Sequence, residues 1–144
     1  MVSETKTYTV GSLVLTVPEG IILSADQKED SATFMLRDLK KVIAVLDQGL
    51  MADSRSVFEE SELEKLLDET ISESYGAYTA KAILNMPSGA WTRYDYAETI
   101  VAGLQGTSTI FIRFNGDRLQ QVIFVGNFAE FVLSPDSLMS MFMD

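Results

Sequence analysis

Two β-rich runs, Thr109–Phe114 and Leu119–Val125, flank Asn115-Gly116, and this stretch constrains the fold more than any other. Both central residues of a type I′ turn need positive φ, so Asn-Gly between such runs signals a hairpin. Alternation within the runs adds a second constraint. Ile110, Ile112 and Phe114 point one way and Phe111 and Arg113 the other; in the partner, Leu119, Ile123 and Val125 oppose Val122 and Phe124. A strand pair that is largely apolar on both sides belongs to a sheet covered on both faces.

The rest of the chain supplies further strands and the covers. Lys6–Val10 and Leu13–Val17 flank the tight-turn pair Gly11-Ser12. Pro18-Glu19-Gly20 breaks the chain, Ile21–Ser24 reads as a short extended piece, and Asp26–Ser31 as a polar loop. Ala32–Arg37 and Lys41–Asp47 form a second strand pair. Between Phe58 and Tyr75, Leu63, Leu66, Leu67, Ile71 and Tyr75 recur at three- and four-residue spacing, which predicts a helix with one buried stripe. Ser56 with Glu59 and Ser61 with Glu64 fit capping boxes at its start, and Gly76 fits a left-handed stop. Its other face carries Glu59, Glu60, Glu62, Glu64, Asp68, Glu69 and Glu73, a set that water must solvate.

Tyr78–Met86 turns at Pro87-Ser88-Gly89 into Trp91–Val101, and a Gly103–Gly106 loop leads to the Asn-Gly hairpin. Ser134-Pro135-Asp136 reads as an N-cap, a first-position proline and an early acid, opening a final helix over Pro135–Met143. The long helix is expected on one sheet face and the terminal helix, with the N-terminal loops, on the other. The expectation is one α+β domain over residues 1–144, a three-layer α/β/α sandwich around a mainly antiparallel sheet.

Composition narrows the chemistry. The 144 residues include no histidine and no cysteine, which removes thiol and imidazole catalysis and the usual transition-metal ligands. A net charge of −10 disfavours nucleic acid and anionic membranes. No apolar run approaches the roughly 18 residues of a membrane span, and Met1–Lys6 shows no basic stretch leading into an apolar one. These features point to a cytoplasmic chain, with an extracellular or envelope location the alternative if a leader was removed. No nucleotide-binding glycine motif, serine-nucleophile motif or zinc spacing occurs, and no catalytic residue, cofactor or metal is expected.

The candidate partner or ligand surface combines three groups. Lys81, Arg93, Asp95 and Arg113, with Arg118, concentrate charge on the central strands, either as a small basic patch for a carboxylate or as a cross-strand ion-pair ladder. Trp91, Tyr94 and Tyr96 form an aromatic group, with Tyr94 and Tyr96 on one face and Trp91 on the other. Met139, Met141 and Phe142 make the terminal helix thioether-rich, suited to docking on the sheet or to binding a partner helix. Asp26, Glu29 and Asp30 form an acidic loop that lacks calcium-loop spacing and reads as solvated charge.

The order of elements, with Leu15-Thr16-Val17-Pro18-Glu19-Gly20, the turn Pro87-Ser88-Gly89-Ala90 and the strand Arg93-Tyr94-Asp95-Tyr96, resembles the PsbP-like fold group. In that group a strand leads into Pro-x-Gly and then an aromatic residue; here Ile21 stands in the aromatic position. The resemblance implies a non-enzymatic protein-binding or scaffolding domain. Its alternatives are a small-ligand-binding envelope domain and an acidic secretion-effector chaperone acting as a homodimer.

Overall fold

A computed structural model describes residues 4–37, 41–49, 60–76, 78–87, 89–101, 104–115, 118–126 and 134–143. The strands are β1 (Thr5–Val10), β2 (Leu13–Pro18), β3 (Ile22–Gln27), β4 (Ser31–Leu36), β5 (Val42–Gly49), β6 (Ala80–Met86), β7 (Gly89–Val101), β8 (Leu104–Asn115) and β9 (Arg118–Val125). A 3₁₀ turn, Glu19–Ile21, joins β2 to β3, and the helices are α1 (Glu60–Tyr75) and α2 (Pro135–Met143). β1 and β2 pair with each other, and the other seven strands form one sheet in the order β3-β4-β5-β9-β8-β7-β6. Every described ladder is antiparallel. The α+β class with an antiparallel sheet is borne out.

Successive strand residues face opposite sides, so this sheet divides its apolar residues between two cores. On one face Phe34, Ile43, Val45, Trp91, Phe111, Val122 and Phe124 cluster with Val10, Leu13, Leu15 and Val17 of the hairpin and with Leu138, Met139 and Phe142 of α2. On the other, Tyr94, Tyr96, Ile110, Ile112, Leu119, Ile123 and Val125 cluster with Leu67 and Ile71 of α1. The strand pair expected around Gly11-Ser12 forms, and this hairpin rather than N-terminal loops covers the first face with α2, its alternation turning Leu13, Leu15 and Val17 inward.

Packing, not local propensity, holds α2. Nine residues are too few for a helix stable by itself in water. The Ser134 hydroxyl accepts from the Ser137 N–H at 3.2 Å, a cap worth about 1 kcal/mol. Burial of Leu138, Met139 and Phe142 contributes roughly 1.5–3 kcal/mol each, several times the cap. α1 ends as its sequence implies: Gly76 has φ 86° and its N–H donates to the Ser72 carbonyl at 2.9 Å.

Other boundaries differ from expectation. Asp26 and Gln27 continue β3, paired with Thr33 and Ala32, because an edge strand tolerates exposed polar side chains. Leu104–Gly106 are strand rather than loop, paired with Val101, Ile100 and Thr99 across a register shift after Tyr96. Asn115 is not a turn residue but the last of β8, opposite Arg118; Gly116 lies outside the described residues. Ser61 lies inside α1 and so marks no helix start, and the Ser56–Glu59 pattern lies outside the described residues. Among the described residues no helix is long and apolar enough to cross a membrane.

Candidate functional site

The cross-strand register builds a row of side chains on the face covered by the hairpin. Leu84 of β6 stands opposite Trp91 of β7, Arg113 of β8 opposite Gln120 of β9, and Gln120 opposite Asp47 of β5. The Arg113 guanidinium lies 4.2 Å from the Trp91 ring centre, and its Nε donates to Gln120 Oε1 at 2.7 Å. Gln120 Nε2 in turn donates to Asp47 Oδ2 at 3.2 Å and to Ser12 Oγ at 3.0 Å. Arg113 is thus a cation stacked on an aromatic face, not part of an open basic patch. Burial lowers its pKa, and the Asp47 charge works against that shift.

Asp47 is the centre of this row. It is 0% exposed, yet Oδ2 also accepts from the Ser12 N–H at 2.7 Å and from the Ser12 hydroxyl, while Oδ1 accepts from Arg118 Nε. Arg118 Nη2 donates to the Asp47 carbonyl at 2.8 Å and reaches Asp30 Oδ1 at 3.4 Å. Burial alone would raise the Asp47 carboxyl; bonds from Ser12, Arg118 and Gln120 outweigh it and hold the pKa below the ordinary value. The clamp fastens the β1–β2 turn to the main sheet. Gly11, at φ 56°, sits so close that an added Cβ meets Arg118 Nη2 at 2.8 Å and Asp47 Cβ at 2.9 Å. Gly11→Ala is therefore expected to lose at least roughly 1–2 kcal/mol from the left-handed backbone alone, read as a lower urea midpoint. An unchanged midpoint would show that the turn relaxes freely.

The sheet separates residues that the sequence groups together. Arg93 and Asp95 share the face of Trp91 and Arg113: Arg93 Nε donates to Asp95 Oδ1 at 3.1 Å and Nη1 to Asp136 Oδ1 at 2.7 Å, tying α2 to β7. Asp95 Oδ1 also accepts from the Thr109 hydroxyl at 2.7 Å. Lys81, however, stands opposite Tyr94 and lies on the other face, where Nζ donates to Asp68 Oδ1 of α1 at 2.9 Å and lies 5.6 Å from the Tyr94 ring centre. The Tyr94 hydroxyl donates to the same Asp68 oxygen. Burial pushes the Asp68 carboxyl up, but Tyr94 and Lys81 more than offset it and the net shift is downward. Tyr96 donates from its hydroxyl to the Gly76 carbonyl at 3.2 Å.

Met139 and Phe142 are buried against β2 and the sheet, whereas Met141 is 40% exposed. They present no continuous thioether surface. Asp30 is engaged by Arg118, the Glu29 carbonyl accepts from the Gly11 N–H at 2.9 Å, and Asp26 is in β3. No group of three or more metal-ligating side chains occurs among the described residues. An open groove of about 280 Å³ lies between the hairpin and β3, lined by Tyr8, Val17, Ile22, Leu23 and Arg37.

The feature that faces outward is the end of the sheet. β6 pairs with β7 alone among the described strands. On it Ile83 is 56% exposed and Leu84 is half-buried against the core. Asp47 and Asp68 escape a search for clustered charge because their partners lie on other elements, and Gln120 because it is uncharged; the Asp47–Arg118 bond spans 71 residues. A signal for Asp47 exists in the alternation Ile43, Val45, Asp47, which puts a carboxylate in line with core positions. No protein-family model matches this chain, and no curated protein matches it.

Proposed function

We propose that this chain is a non-enzymatic protein-binding domain of the three-layer, PsbP-like kind, which takes a partner at the β6 edge of its sheet. The observation that carries the reading is that edge. An edge strand presents a row of outward N–H and C=O groups, a template for another strand. β6 combines this with an exposed Ile83, whereas its own Lys81 is occupied by Asp68, and the cations of the neighbouring strands are occupied too, Arg93 by Asp95 and Asp136 and Arg113 by Gln120. A pair of cores divided by one sheet supports the layered part of the proposal.

The reading is tested by selecting a displayed library of short random peptides on the immobilised protein, with an unrelated protein of equal negative charge as control. Enrichment of sequences with alternating apolar residues is expected. A selection that enriches nothing beyond the control would overturn the protein-binding reading.

A further inference from the structure

We infer that the occupant of the β6 edge is an extended Lys- or Arg-rich segment of another protein, added as a strand beside β6 and alongside the acidic helix α1. This rests on the protein-binding reading and goes further by fixing the place and the charge of the partner.

The two ends of the sheet are not equivalent. At β3 the register shifts between Ile22 and Ser24, Gln27 Nε2 donates to the Thr9 carbonyl of β1 at 2.6 Å, and Asp26 adds a charge. A bulge, an engaged side chain and a charge are the usual guards of an edge. β6 has no bulge, and its one charged side chain does not stand guard at the rim. Its register runs unbroken from Ala80↔Asp95 to Met86↔Gly89, and its sequence Ala-Lys-Ala-Ile-Leu-Asn-Met contains no proline. Its one charge is Lys81, and a lysine pointing outward would be the common deterrent. Here Nζ is drawn over the Tyr94 ring to Asp68, away from the edge.

The surroundings then select the occupant. Along an added strand, side chains alternate between the two faces. On one face they meet Ala80 and Ala82, exposed and small enough to admit large neighbours. On the other they meet Ile83 and the side of α1, which the Lys81–Asp68 contact places beside β6. The α1 sequence over Glu60–Tyr75 is acidic, with Lys65 its one cation, and beyond the Asp68 that Lys81 engages, Glu69 and Glu73 are exposed. With a net charge of −10 on the whole chain, this field attracts a cationic segment and repels an acidic one. It also works against a second copy of this chain pairing through β6. Main-chain bonds supply affinity for any extended peptide, and the field supplies the preference.

Three synthetic probes test this: an alternating Val/Thr peptide flanked by lysines, its glutamate-flanked counterpart, and the lysine peptide N-methylated at alternate residues. Binding is followed by fluorescence polarisation and by amide exchange of β6. The lysine peptide should bind at least about tenfold tighter than the glutamate peptide at low salt, the gap should narrow as salt rises, and β6 amides should be protected. N-methylation should abolish binding. Ile83→Lys should weaken the lysine peptide with the circular dichroism spectrum unchanged; Ala82→Pro should abolish binding if the variant folds.

Equal affinity for both charged peptides, survival of N-methylation, protection at β3 in place of β6, or a dimer with protected β6 amides would each overturn the inference. Peptides that enrich in the library selection but protect other regions would overturn it while leaving the protein-binding reading standing. Enrichment of nothing would remove both.

Discussion

Asp47→Ala is expected to lower stability by about 1–3 kcal/mol, the cost of leaving buried hydrogen-bond donors unsatisfied, since the Arg118 guanidinium is 28% exposed and water can solvate it. The aspartate is fully buried and satisfies the Ser12 N–H and hydroxyl, the Gln120 amide and the Arg118 guanidinium together. Alanine takes the acceptor from all of these donors, and it removes the anchor between the β1–β2 turn and the sheet. Urea unfolding followed by circular dichroism measures the loss; a decrease below about 1 kcal/mol would show that water satisfies the donors, as at an ordinary surface pair. Asp47→Asn keeps the shape but turns an NH₂ group toward donors, so it should recover only part of the loss.

The pH dependence follows from the same site. The folded pKa values of Asp47 and Asp68 lie below their ordinary value of 3.8. A depressed folded pKa contributes stability that is fully present above the unfolded value and is lost as pH falls through the folded one. The wild type should therefore weaken as the solution is acidified below about 3.8, and Asp47→Asn should flatten part of that decline. An equally steep decline in the variant would place the acid sensitivity elsewhere. The chain has no histidine to add an imidazole transition near neutrality.

Trp91→Ala is the second large effect, expected at about 3–5 kcal/mol. Trp91 is 0% exposed in the core beneath the hairpin and α2, and its removal also unstacks Arg113. Its indole Nε1 has no hydrogen-bond partner, which sharpens the prediction. Trp91→Phe keeps an aromatic face for Arg113 and gives up no hydrogen bond, so its cost should fall well below that of alanine. Equal losses in the two variants would mean that the indole nitrogen is satisfied in solution. Trp91 is the chain's single tryptophan, so its fluorescence in the wild type reports this core alone.

The elements that could be read from the chain are those governed by short-range rules. The α1 stripe through Leu67 and Ile71, the Gly76 stop, the Ser134 cap and the opposed faces of Trp91 and Tyr94 all follow from spacing. What could not be read depends on register between distant strands. Lys81 and Arg113 look alike in the sequence, yet the pairing of β6 with β7 places Lys81 opposite Tyr94 and under α1, whereas β8 brings Arg113 to Trp91 on the other face. A one-residue slip would exchange their surroundings. Asp47 was hidden for the same reason, since its role exists only once β9 and the Gly11–Ser12 turn converge on β5.

The strand order has a kinetic consequence. β3, β4 and β5 are neighbours both in sequence and in the sheet, as are β6, β7, β8 and β9. Each set is a meander that can assemble by successive local hairpins. The two meet along a single ladder, β5 against β9, so this seam is where non-local closure must be accomplished. Chain closure of that kind governs folding speed more than final stability. The Asp47–Arg118 bond crosses this seam, which makes it a marker for the moment at which two separately formed halves become one sheet.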